Sequence, residues 1–219
     1  MSRAAAVRAG ALWSMGAQYA VFAVQFAVSV LISRFFLAPA EMGLFGIALA
    51  AAMLVAVLQD FGLTRYIGAA TEIGEEELAT CFTVSALFAG AVALVILLLA
   101  RPLAAFYGEP ALAPLLAILA ATYLFVPLGV VPAALIQREM NFRALALVNL
   151  GAVAAYAAVA LGLAAAGFSA FALAWSLVAQ AAVRGLLALG LSGVRLPRPR
   201  DLPAEAMRLK EGLGRHSRA

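Results

Sequence analysis

Charge is scarce in this chain of 219 residues: Asp, Glu, Lys and Arg together make up 12%. A water-soluble domain carries roughly a quarter, because its folded surface has to be hydrated. Half that amount leaves too little polar surface to cover a soluble globule of this length, so a bilayer must solvate most side chains. Histidine and cysteine are scarcer still. The single histidine, His216, lies near the C-terminus, which excludes a histidine-based triad or a His-rich metal site in the apolar part of the chain. The single cysteine, Cys81, has no internal disulfide partner and says nothing about redox compartment. At the start of an apolar run it reads as a small helix-packing residue. There is no Cys-x-x-Cys pair, no glycine-rich phosphate loop with a lysine, and no carboxylate pair within an apolar run. The sequence therefore offers no catalytic residues, no metal site and no cofactor site, and it reads as a non-enzyme.

What is abundant is apolar: 66% of the residues are hydrophobic. No charge falls between Arg8 and Arg34, Glu41 and Asp60, Glu77 and Arg101, Glu109 and Arg138, or Arg143 and Arg184. Each of the first four runs suits one helical span, which needs about 20 residues to cross about 30 Å of hydrocarbon. The last, at about forty residues, suits two spans. Its natural break is Gly167-Phe168-Ser169, where a glycine ends one helix and a serine caps the next. The runs lack strict alternation and are built from Ala and Leu, which favour helix over strand. The predicted fold is an all-α polytopic transmembrane bundle of six spans: 11–33, 42–59, 79–100, 112–136, 145–166 and 169–191. Residues 1–194 form this membrane unit, and 195–219 a basic tail.

Seven of the fifteen Lys and Arg lie in the tail from Arg195 to Arg218, so the net charge of +4 is no signature of nucleic-acid binding. With the N-terminus inside, the inner segments hold Arg3 and Arg8, Arg65, Arg138 and Arg143, and the tail; the outer ones hold only Arg34 and Arg101. That asymmetry predicts both termini in the cytoplasm. The first apolar run is too long for a signal-peptide core, and Arg34 separates it from Ala38-Pro39-Ala40, so it reads as a span.

Polar groups within the spans are few. They are Gln18 and Gln25 in the first, Gln59 and Asp60 at the end of the second, Gln137 ending the fourth, Asn149 in the fifth, and Gln180 and Arg184 in the sixth. An ionisable group in a span costs roughly 2.5–3.5 kcal/mol on insertion scales and usually faces protein or water. Arg184 can snorkel to the headgroups or face a cavity. Asp60 and Arg65 can pair across the turn between them. Gln18 and Gln25, seven apart, share one helix face. Pro127 and Pro132 each remove a backbone donor from the fourth span, which membrane helices tolerate where neighbours or water satisfy the freed carbonyls.

Four segments carry a family resemblance. LISRFFLAPAEMGLFGIA (Leu31 to Ala48) resembles the first connection of the polysaccharide transporter family, within the multidrug/oligosaccharidyl-lipid/polysaccharide exporter superfamily; Arg34, Pro39, Glu41 and Gly43 match. DFGL (Asp60 to Leu63) is similar to the turn after that family's second span, and AAFYGEP (Ala104 to Pro110) to the segment after its third. ALIQREMNFRALAL (Ala134 to Leu147) resembles the signature between spans four and five, with Gln137, Arg138, Phe142 and Arg143 matching. Phe171-Ala172-Leu173 stands where members often carry Trp-Ala-Leu. The pieces fall in family order and together cover about residues 10–190.

The resemblance implies one lobe of a two-lobe exporter in the bacterial inner membrane. Its partner would be an undecaprenyl-diphosphate-linked oligosaccharide, flipped for surface polysaccharide such as lipopolysaccharide, O-antigen or exopolysaccharide. Arg34, supported by Gln25 and Gln18, is then expected to receive the diphosphate. Asp60, Arg65, Gln137, Arg138, Arg143 and Arg184 are expected to hold the gate or structural motifs near anionic membrane lipids. Family members have twelve or more spans, so the chain reads as a truncated product or one half of a split protein. A separate C-terminal half or polymerase machinery would complete it. The rival readings are a lobe of a cation-coupled multidrug exporter and a non-transporting assembly subunit.

Overall fold

The computed structural model describes residues 3–56 and 75–192, with side chains at 13, 15–54 and 78–192. Within them the chain forms α1 (Arg3–Phe35), α2 (Pro39–Ala56), α3 (Glu75–Tyr107), α4 (Leu112–Arg138), α5 (Phe142–Ala165) and α6 (Ala170–Ser192). This is the all-α bundle that the sequence predicts, with no strand among the described residues. Segments of α1 (from Met15), α3 (from Leu78), α4, α5 and α6 are long and apolar enough to cross a bilayer. The apolar part of α2, Pro39–Leu54, is shorter. The remainder of the predicted second span lies outside the described residues, as do Gln59, Asp60, Arg65, their proposed pairing, and the tail.

The helices outrun the hydropathy boundaries. α3 extends from Glu75 to Tyr107, beyond the 79–100 expected, because a helix need not stop where the hydrocarbon does. Its free terminal amides and carbonyls are hydrated or capped beyond that edge. Asn141 shows such a cap: its Oδ1 accepts from the Ala144 amide at 3.2 Å, which starts α5 before the 145 read from hydropathy.

The break between α5 and α6 falls where predicted but is built differently. Gly167 takes φ +82°, and the amides of Gly167 and Phe168 donate to the carbonyls of Ala164 and Leu163, closing the end of α5. Ser169 does not cap α6. Its φ of 54° is left-handed, whereas a capping residue needs extended backbone. Main-chain bonds from Phe171 and Ala172 close the first turn instead. The Ser169 hydroxyl donates to Glu41 at the head of α2. Glu41 also accepts from the Ala38 amide at 2.8 Å, as the acidic partner of a capping box does.

This bond fixes one end of the bundle, called here the Ser169 end, where α1 and α5 finish and α2 and α6 begin. The Asn141 end lies opposite. α4 and α6 are central: α4 packs against α6 and α3, and α6 against α5 as well. α1 lies outside α5, and α2 rests on α4 with lighter contact to α6 and α3. The largest core cluster joins α2, α3, α4 and α6 toward the Ser169 end through Ala48, Ile96, Leu112, Leu116 and Ala174. Cys81 is buried in a smaller cluster with Val131 and Ala134.

Small residues set the closest approach. A Cβ on Gly185 of α6 would stand 2.9 Å from Leu128 Cβ and 3.5 Å from the Phe125 carbonyl oxygen of α4. Gly129 faces it, its missing Cβ 3.8 Å from the Gly185 Cα. With little hydrophobic drive between helices in lipid, such backbone-level packing holds the pair together. Pro127 and Pro132 are buried within α4, which continues through both to Arg138. Pro132 frees the carbonyl of Leu128, the residue on which Gly185 packs.

Candidate functional site

α4 and α5 are joined by a short turn yet touch only lightly, while α6 packs against both. A wedge therefore opens between α4 and α5, with α6 as its back wall. The resulting cavity has a volume of about 450 Å³. Its polar lining is Thr122 and Gln137 from α4, Asn149 from α5, and Gln180 and Arg184 from α6. Phe125, Val130, Leu145 and Leu177 supply apolar wall. Every residue on each helix's share sits at helical spacing from another: Gln180 and Arg184 are four apart, as are Leu145 and Asn149.

Among the described residues Arg184 is the only charged group in this lining, and no carboxylate joins it there. Its Cγ lies 3.9 Å from where a Gly129 Cβ would be, so the stem of the side chain rests on α4 where that helix has no side chain. The Thr122 hydroxyl is buried and has no hydrogen-bond partner among the described residues. Leaving a buried hydroxyl unpaired costs roughly 1–3 kcal/mol, a penalty that a polar ligand would relieve.

The polar residues singled out from the sequence separate into two groups. Gln137 and Arg184 meet in the cavity, with Asn149 and Gln180. Arg138, half-buried, and Arg143, exposed, flank the turn at the Asn141 end beside Gln137. Arg34 is exposed at the last turn of α1, at the Ser169 end. Gln25 and Gln18 lie on the stripe that continues through Val28 and Ile32, the residues α1 buries against Ala160 and Ala164. Burial fades along it: Ile32 and Val28 are buried, Gln25 half-buried and Gln18 exposed. Thr122 is the member of the cavity that sequence reasoning did not single out. Its signal is the stripe Thr122, Val126, Gly129, Ala133 and Gln137, small or polar at helical spacing along α4.

At the Ser169 end, the Ser169 hydroxyl and then the Ala38 amide hold the Glu41 carboxyl below the usual glutamate range, against a smaller upward push from burial. The head of α2 adds its own favourable field to an anion there.

Comparison with known proteins places this architecture. Residues 31–207 match a family described as polysaccharide biosynthesis protein. A succinoglycan biosynthesis transport protein, ExoT of Rhizobium meliloti (strain 1021), is 32% identical over 192 residues, covering 86% of this chain and 37% of that protein. The chain thus spans little more than a third of the length of the curated relative it matches. No solved structure matches it. A multi-pass helical membrane unit with this sequence match over most of its length belongs to the polysaccharide biosynthesis protein family.

Proposed function

We propose that this chain forms the N-terminal lobe of an inner-membrane flippase for a lipid-linked oligosaccharide used in surface polysaccharide assembly. The observation that carries the reading is the coincidence of the family match with a polar, singly cationic cavity inside an apolar helical unit. A diphosphate bearing sugars cannot cross hydrocarbon without losing its hydration, which is costly unless protein groups replace the water. A cavity lined by amides, a hydroxyl and a guanidinium supplies such groups, and the lipid tail stays in the bilayer.

In this reading residues 1–194 are the lobe and 195–219 a cytoplasmic tail leading toward a second one. Both termini face the cytoplasm, so the Asn141 end faces inward and the Ser169 end outward. Arg34, with Gln25 and Gln18 along α1, receives the head group toward the outer end. Arg138 and Arg143 hold the inner gate near anionic lipids. Rocking of the two lobes about the substrate provides alternating access. The inside-negative potential favours outward passage of a head group with roughly two negative charges, by about 2.3 kcal/mol per charge per 100 mV.

The test is restoration of surface polysaccharide in a flippase-null strain by the chain expressed with a C-terminal lobe from a relative. Recovery that depends on both pieces supports the reading. Recovery of drug efflux without polysaccharide would assign a drug exporter instead, and recovery of neither would leave a non-transporting subunit.

A further inference from the structure

The cavity between α4, α5 and α6 supplies polar groups that replace water, and its chemistry is narrower than that of a general polar channel. We propose that it is a sugar-phosphate pocket: Arg184 takes a phosphoryl group of the lipid-linked substrate, and Gln137, Asn149 and Gln180 take the hydroxyls of the first sugar. This rests on the flippase reading and deepens it.

Three observations carry the assignment. The first is charge. Among the described residues Arg184 is the sole ionisable group in the lining, and it presents a positive charge to the pocket's contents. A guanidinium offers a planar fork of donors that matches phosphoryl oxygens. The second is the kind of polar group around it. Each amide carries donors and an acceptor, the combination that a sugar hydroxyl can satisfy in both senses. Phe125 adds an aromatic wall beside them, and the buried Thr122 hydroxyl awaits a partner. The third is size and depth. A volume of about 450 Å³ falls within the range of small-ligand pockets, roughly 300–1,000 Å³, with room for one sugar ring and its phosphoryl group but not for a whole oligosaccharide.

Depth favours a lipid-borne source over a soluble one. Gln137 sits in the last turn of α4, at the Asn141 end, while Thr122 lies fifteen residues earlier, about 22 Å along the axis at 1.5 Å per residue. Arg184 rests against Gly129, eight residues before Gln137 on α4, and so stands about 12 Å in from the Asn141 end. A phosphoryl group held there has already left the headgroup plane, so the pocket is a loading site. It is built wholly from this chain, and its ligand should bind without a second lobe.

The experiment measures equilibrium binding to the full chain in nanodiscs of three probes: a polyprenyl diphosphate carrying one hexose, the sugar-free polyprenyl diphosphate, and soluble hexose 1-phosphate. Arg184→Gln should weaken both lipid probes at least tenfold. The double change Asn149→Leu with Gln180→Leu should weaken the sugar-bearing lipid at least fivefold and the sugar-free lipid less than twofold. Arg101→Gln, on the surface of α3, should bind like the parent. If Arg184→Gln does not fold, Arg184→Lys and Thr122→Val take its place, each with an expected loss of about threefold or more. Unchanged affinity in the arginine variants overturns the site. Equal loss of both lipids in the amide double variant overturns the sugar role. Soluble hexose 1-phosphate binding as tightly as the lipid overturns the lipid source. If a parent chain that restores polysaccharide export keeps its affinity on loss of Arg184, the pocket fails and the flippase reading stands. If the parent binds no polyprenyl probe and restores no export, the flippase reading fails with it.

Discussion

Glu41 joins two turns that are 128 residues apart in sequence, through one carboxylate shared by the Ser169 hydroxyl and the Ala38 amide. Its carboxyl is held below the ordinary range chiefly by Ser169, so it binds its proton less readily folded than unfolded. The bond therefore contributes stability above the pKa of the unfolded glutamate, and that contribution is lost as pH falls through the lowered folded value. Ser169→Ala should lower the thermal midpoint of the detergent-solubilised chain at neutral pH. The gap to the parent should close as the pH drops below the carboxylate range. A gap that persists at pH 3 would mean that Ser169 acts through packing or its left-handed backbone, not through Glu41. A second single-residue link crosses helices: the Tyr123 hydroxyl donates to the Ala52 carbonyl of α2 at 3.2 Å. Tyr123→Phe should cost about 1 kcal/mol, the net worth of one hydrogen bond. Faster amide exchange confined to α2 would report the loss.

At the scale of helices, the α4–α6 contact sets the width of the cavity beside it. Gly185 has no room for a side chain against Leu128, whereas Gly162 on α5 has nothing within 4 Å of a built Cβ. Gly185→Leu should destabilise by about 1–3 kcal/mol, the cost of overpacking, by prising α6 from α4. Gly162→Ala should be neutral or mildly stabilising, since glycine inside a helix is worth less than alanine by roughly 0.5–1 kcal/mol. Thermal unfolding of the two variants side by side separates close packing from helix propensity. This contrast also marks what the sequence could and could not disclose. Charge-free runs located every described helix, because a span must be apolar throughout whatever its neighbours are. Glycine frequency alone did not separate Gly185 from Gly162, since the difference lies in which helix stands opposite. For the same reason Gln137, Asn149, Gln180 and Arg184 were legible as polar groups within the spans but not as one site. Helical spacing reveals the face on which a residue lies, and only the packing of α6 on both α4 and α5 brings three such faces together. Ser169 was misread because its left-handed backbone is not encoded by residue type.

For the whole molecule, the function depends on which way the bundle faces. α1 leaves Tyr19, Phe22 and Phe26 exposed, with the Phe22 and Phe26 rings stacked at 6.4 Å, a surface suited to lipid or to another membrane-embedded partner. That surface has no preferred side, so orientation rests on the distribution of arginine. The lone cysteine makes this testable at little cost to the fold. Cys81 is buried, so Cys81→Ala provides a background for single cysteines placed one at a time at the exposed positions Ala38, Glu109, Ala166 and Glu139, which spares the left-handed glycines Gly108 and Gly167. In whole cells with a permeable outer membrane, an impermeant maleimide should label the first three and reach Glu139→Cys only after the inner membrane is opened. The Glu41–Ser169 bond makes the pattern more than four separate assays, because it requires the turns at Ala38 and Ala166 to share a side. Labelling of those two from opposite faces would break the bundle itself. Labelling of all four in reverse would keep the bundle and turn it over, and the Arg184 pocket would then open toward the periplasm, where it could collect substrate only after crossing. A loading role for that pocket and an inward-facing Asn141 end therefore stand or fall on the same four thiols.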